Sequence, residues 1–212
     1  MPRRAAATTS TSPTTATPTP PPAFPTPALH SRALRMTYRI ARGEQGVLTF
    51  EPYKSFLLPH WRFRTLALAQ ASSATLYSAF GHYVRAGDFV GADMARKFVQ
   101  MGMTRARRYA NYRGGRKYAR SRAGEGGRVV GEGRVQLAKS EGHEGREEKA
   151  RASEVFEGVW RWCTGDEGYV ALKGAFQAEL KAWEREVKRG GKGAEGKVGD
   201  ESGVTGEEVD GG

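Results

Sequence analysis

Four segments of this 212-residue chain carry apolar residues at three- and four-residue steps, and that period favours a bundle of amphipathic helices. Leu66, Ala69, Ser73, Leu76, Tyr77, Phe80 and Val84 share one stripe. Thr65 is placed to cap that helix and Gly87 to end it near Ala86. Asp88 then caps a second helix running from Phe89 to about Tyr112. Val155, Phe156, Val159, Trp160 and Cys163 form a third apolar face, which stops at Thr164-Gly165. Asp166 opens a fourth helix, in which Tyr169, Leu172, Phe176, Leu180, Trp183 and Val187 keep the same step.

Ahead of these helices the period changes. Tyr38 and Ile40 alternate with Arg39, Gly43-Glu44-Gln45-Gly46 supplies turn residues, and Val47-Leu48-Thr49-Phe50 is apolar and partly β-branched. That pattern predicts a β-hairpin. Between Pro52 and Thr65, residues Leu57 to Arg64 read as extended, with Trp61 and Phe63 on one side and Arg62 and Arg64 on the other. The expected fold class is mainly α, a small bundle of about four helices with one N-terminal β-hairpin around one core.

The core is expected to be shorter than the chain. Residues 1–34 are a Thr/Pro/Ala tract containing Pro18-Thr19-Pro20-Pro21-Pro22, and residues 190–212 are Gly, Glu, Asp and Lys with almost no apolar anchor. Both read as disordered tails, because little in them offsets the entropy of ordering. Residues 35–189 are expected to form a single small domain, interrupted by a flexible Gly/Arg/Glu-rich insertion at 120–146. The acid-free N-terminal tract shares its composition with an organelle transit peptide, but its prolines oppose the amphipathic helix such peptides form.

Cys163 is the one cysteine, so no internal disulfide is available. No apolar run approaches the roughly 20 residues that span a bilayer. A cytoplasmic location is expected, with nucleus and mitochondrion left open. His30, His60, His82 and His143 lie far apart, no spacing suits zinc, and no metal or cofactor is expected. Cys163 lies on the apolar face of its helix, which suits packing better than a nucleophile activated by His60.

The charge pattern is the functional signal. Net charge is +11. Between Arg96 and Arg122 stand ten cations, while no acid occurs between Asp93 and Glu125. Such a block favours a polyanion, either nucleic acid or a phosphorylated ligand. Counting helical turns from Met94 reaches Phe98, Met101, Arg105, Arg108 and Tyr112, so the apolar stripe runs into two arginines. By the same count Arg96 and Arg107 face solvent, and Asp93 with Lys97 forms a surface pair. Arg105 and Arg108 then meet an internal carboxylate such as Glu44 or Glu51, a bound anion, or, if Gly102 breaks the helix, water. Gly114-Gly115 lets backbone amides approach an anion between Arg113 and Arg116-Lys117. Arg105, Arg108, Arg113, Arg116 and Lys117 are thus the expected anion-binding residues, and Tyr109, Tyr112 and Tyr118 the candidate stacking surfaces. No catalytic residue is assigned.

Two other classes stay open. An enzyme acting on a phosphorylated substrate would use Glu44, Asp88 and Asp93 as acids, with Arg105 and Arg108 holding the phosphate. A structural protein-interaction module would use neither set.

Long strings add a resemblance. Tyr38-Arg39-Ile40-Ala41-Arg42-Gly43-Glu44-Gln45-Gly46-Val47-Leu48, Leu58-Pro59-His60-Trp61-Arg62-Phe63-Arg64, Asp88 through Phe98 and Thr104 through Asn111 resemble an uncharacterised domain-of-unknown-function family of fungi, bacteria and tailed phages, of the DUF4385 type. The likeness covers a little over a third of the chain, from about Tyr38 to Tyr118, and is looser in the last two helices. The resemblance implies no established activity, so it carries no catalytic residue over. Its occurrence in phages implies a nucleic-acid or nucleotide setting by association alone.

Overall fold

A computed structural model describes residues 24–119 and 135–195, with side chains to residue 189. Seven α-helices run through them: α1 (Pro27–His30), α2 (Arg32–Thr37), α3 (Tyr53–Leu57), α4 (Leu66–Ala86), α5 (Phe89–Asn111), α6 (Arg146–Gly165) and α7 (Glu167–Glu195). The last four are the helices that the apolar period predicts, and three short ones precede them. Side-chain caps form where the sequence offers them. Thr65 Oγ1 accepts from the Leu68 amide, Asp88 Oδ1 from Gly91 and Asp166 Oδ1 from Tyr169.

α5 is the axis of the fold and packs along α4 and α6. From Phe89 to Met103 every residue is buried except Gln100, which is half-buried. Small residues allow this enclosure. A β-carbon on Gly91 would lie 2.3 Å from the Tyr83 ring of α4, and one on Gly102 would lie 2.6 Å from the Phe156 ring of α6. Gly102 therefore does not break the helix; it admits α6 against it. The apolar stripe Met94, Phe98 and Met101 is buried as expected.

The expected hairpin does not form, and no strand occurs among the described residues. Met36 and Thr37 end α2, after which successive tight turns close from Val47 to Glu44 and from Thr49 to Gly46. Gly43 and Gly46 have φ of 64° and 81°, so they serve separate turns rather than one hairpin tip. One isolated antiparallel bridge joins Tyr118 to Gln136. Leu57 to His60 is likewise not extended, since α3 runs on into a 3-10 turn at Leu58–His60 and buries Leu57. Beyond it the expected alternation returns, with Trp61 and Phe63 packed inward and Arg62 and Arg64 exposed.

The N-terminal boundary also moves. Residues 24–34, expected within a tail, carry α1 and the start of α2 and place Phe24 and Ala28 in the core. The Phe24 ring lies 5.8 Å from His60 and 6.1 Å from both His82 and Tyr83. The Ala28 amide donates to Tyr53 Oη, which donates to Asp88. Arg35 pairs with Glu179 at 2.7 Å, and Arg32 with Glu186 at 3.2 Å. At the other end, α7 continues past 189 to Glu195. Residues 1–23, 120–134 and 196–212, which include most of the expected tails and insertion, lie outside the described residues.

Candidate anion-binding surface

α5 holds two kinds of charge, divided along its length. In the enclosed part, Asp93 Oδ1 accepts from Arg96 Nε and from Tyr169 Oη, both at 2.8 Å. Its Oδ2 accepts from Tyr38 Oη at 2.5 Å and lies 3.2 Å from Lys97 Nζ. Lys97 also donates to Tyr38 Oη at 2.8 Å, and Arg96 Nη1 to Gln100 Oε1 at 2.8 Å. Asp93 is 0%, Lys97 1% and Arg96 8% exposed.

Burial opposes ionisation of Asp93, but the charges of Arg96 and Lys97 and two phenol donors outweigh it and hold the carboxyl below its ordinary value. Burial also lowers the Lys97 amine, and the Asp93 charge offsets only part of that. Burial and the same carboxylate push the phenols of Tyr38 and Tyr169 up, so both remain donors.

This corrects the sequence reading at three positions. Arg96 does not face solvent, and Asp93 and Lys97 are not a surface pair. A helix enclosed by α4, α6, α7 and the N-terminal segment has no solvent side here. Asp88 serves as the helix cap and receives Tyr53 Oη at 2.5 Å, while burial raises its carboxyl. Glu44 accepts from Thr104 Oγ1 at 2.5 Å. The three acids thus have separate partners: Asp88 and Asp93 are sealed inside, and Glu44 is half-buried.

Beyond Met103 the surroundings open. Arg105 is half-buried and its Nε, inaccessible to solvent, has no hydrogen-bond partner among the described residues. Arg108 is exposed rather than core-facing. Arg107 is exposed as expected and pairs with Glu157 at 2.6 Å. Helix α5 ends at Asn111, and Arg113–Gly115 forms a 3-10 turn in which Gly114 and Gly115 have φ of 66° and 70°. Among the described residues, Arg105, Arg108, Arg113, Arg116 and Lys117 have no carboxylate within ion-pair distance.

The three tyrosines divide. Tyr112 is 6% exposed and accepts from Gln136 Nε2 at 3.0 Å, so it packs rather than presents a face. Tyr109 and Tyr118 are each 39% exposed. Gly115 lies against the Tyr109 ring, where an added β-carbon would come within 2.8 Å. Lys117 Nζ stands 5.5 Å from the Tyr118 ring.

The sequence reading passed over Lys149 and Ser140 and weighed His143 only as a metal ligand, yet these three hold this end together. Lys149 donates to the carbonyls of Phe63 and Arg64 and stands 5.9 Å from the Tyr109 ring. Ser140 Oγ accepts from the Arg113 amide and lies 2.9 Å from His143 Nδ1, while His143 Nε2 reaches the Tyr109 carbonyl. A signal for Lys149 existed, since it precedes Ser153 and Phe156 by four and seven residues on the inner stripe of α6.

Cys163 is buried, and burial pushes its thiol up to about 12, which suits packing. No helix among the described residues is long and apolar enough to cross a membrane.

The chain belongs to the family described as Domain of unknown function (DUF4385), which it matches over residues 23–179. That span begins next to Phe24, the first residue of the packed N-terminal segment. No curated protein and no solved structure matches the chain.

Proposed function

We propose that this chain is a basic helical module that binds a polyanion, nucleic acid or another phosphorylated ligand, through the last turns of α5 and the Gly-Gly turn after it. One observation carries the reading. The cations of the enclosed half of α5 are matched by Asp93, and Arg107 by Glu157, whereas Arg105, Arg108, Arg113, Arg116 and Lys117 meet no carboxylate among the described residues. Cations near a helix C-terminus also complement its dipole, an effect of about 0.3–1 kcal/mol that leaves their hydrogen-bonding groups free for phosphate oxygens. The rival enzyme draws less support, because two of its three acids are committed to internal partners.

Titration of a labelled oligonucleotide against salt tests the proposal. Affinity is expected to fall steeply as salt rises, since each neutralised phosphate releases condensed counterions. Replacing Arg113, Arg116 and Lys117 together by Ala flattens the slope by about one unit for each phosphate that a replaced cation had neutralised. Arg105→Ala with Arg108→Ala leaves the fold intact by circular dichroism and weakens binding. An unchanged slope in both variants sinks the reading.

A further inference from the structure

Resting on that reading, we infer that the surface takes single-stranded nucleic acid in preference to duplex, with bases stacked on Tyr109 and Tyr118 and phosphates on the neighbouring cations. A single strand offers a flat ring and a phosphate at each nucleotide, and its binding sites pair aromatic faces with a basic track. This surface supplies both. Tyr109, whose ring also packs 5.8 Å from Phe63, and Tyr118 are each partly exposed, whereas Tyr112 between them is buried. The chain from one exposed tyrosine to the other carries Arg113, Arg116 and Lys117.

Their placement is built. Tyr109 rests against Gly115, a position where any side chain would collide with the ring, and its backbone carbonyl is met by His143. Tyr118 is held by the bridge to Gln136, whose side chain donates to the buried Tyr112. Duplex reading asks instead for a helix face free to enter a groove. Here α5 is enclosed to Met103 and packed along α4 and α6, and even in its last two turns Ala106 and Ala110 stay buried, so it does not stand out from the fold as a groove-reading helix does.

The test uses the full chain at one salt concentration with three probes: an oligonucleotide of about 12 nucleotides, long enough for one such site, the same strand annealed to its complement, and heparin, a polyanion without bases. The single strand is expected to bind tightest. Tyr109→Leu and Tyr118→Leu each weaken it at least about fivefold, the lower end of what one base stacked on an aromatic ring contributes. The Phe variants retain the affinity, and none of the four changes heparin binding. Duplex or heparin binding as tight as the single strand, or Leu variants that bind it as tightly as the parent chain, overturns this inference and leaves the polyanion reading standing. Failure of all three probes to bind overturns both. If Tyr109→Leu does not fold, Tyr118→Leu, on an exposed segment, decides the matter.

Discussion

The two ends of α5 use the same residue types for opposite purposes. Arg96 and Lys97, sealed from water, share the carboxylate of Asp93 with two tyrosines. Arg105 and Arg108, about two to three turns later on the same helix, meet no acid among the described residues. The enclosed cluster carries one negative and two positive charges, so Asp93 is its one counter-charge. The position of a cation along this helix decides its role more than the face it occupies.

The largest expected effect breaks the enclosed end. Asp93→Asn leaves two cations buried without a carboxylate, and stability measured by urea unfolding is expected to fall by about 3–5 kcal/mol. Lys97→Met keeps the volume and leaves Asp93 paired with Arg96, so its cost is expected below about 1.5 kcal/mol. Equal losses from the two would mean that the cluster is not organised around Asp93.

Acid sharpens the same contrast. The native carboxyl of Asp93 is depressed, so its contribution is full above the ordinary carboxylate value and is lost as pH falls through the native one. Asp88 is raised, which runs the other way: relative stability is gained as pH falls through its native value. The Asp93→Asn deficit is therefore expected to shrink as unfolding is repeated from neutral pH down to about pH 3, where carboxylates protonate. A deficit constant with pH would contradict the depressed value.

Next in size is the contact that seals the helix. Gly102→Ala pushes a methyl group into the Phe156 ring and is expected to cost about 1–3 kcal/mol. The smallest effect belongs to the open end, where Arg108→Ala is expected to change stability by no more than about 0.5 kcal/mol. A larger loss there would show that Arg108 is matched after all, and the comparison would fail.

The sequence made the four long helices readable because Thr65, Asp88 and Asp166 cap three of them and the apolar stripes of all four are regular. It misled on Arg96 and Lys97 because periodicity assigns every helix a wet side. The clue was a second stripe of small residues, Gly91, Ala95 and Gly102, four and eleven residues apart, which lets the Tyr83 and Phe156 rings of the neighbouring helices close on α5. The hairpin was a similar error: Gly43 and Gly46 do mark turns, but Tyr38 and Val47 turn inward on their own and pair with no partner strand. At the open end, the exposure of Tyr109 and burial of Tyr112 depend on residues 136 to 149, which carry no periodic signal until α6 begins.

The clasp formed by Arg32 and Arg35 with Glu186 and Glu179 sets an order of events during synthesis. Its partners lie 154 and 144 residues apart, so among the described residues the N-terminal packed segment leaves the ribosome well before α7, to which it is tied. Until α7 emerges, Phe24 and Ala28 have α3 and α4 to rest on but no bond to α7. Closure of so long a loop comes late in folding, when most of the apolar surface is already buried.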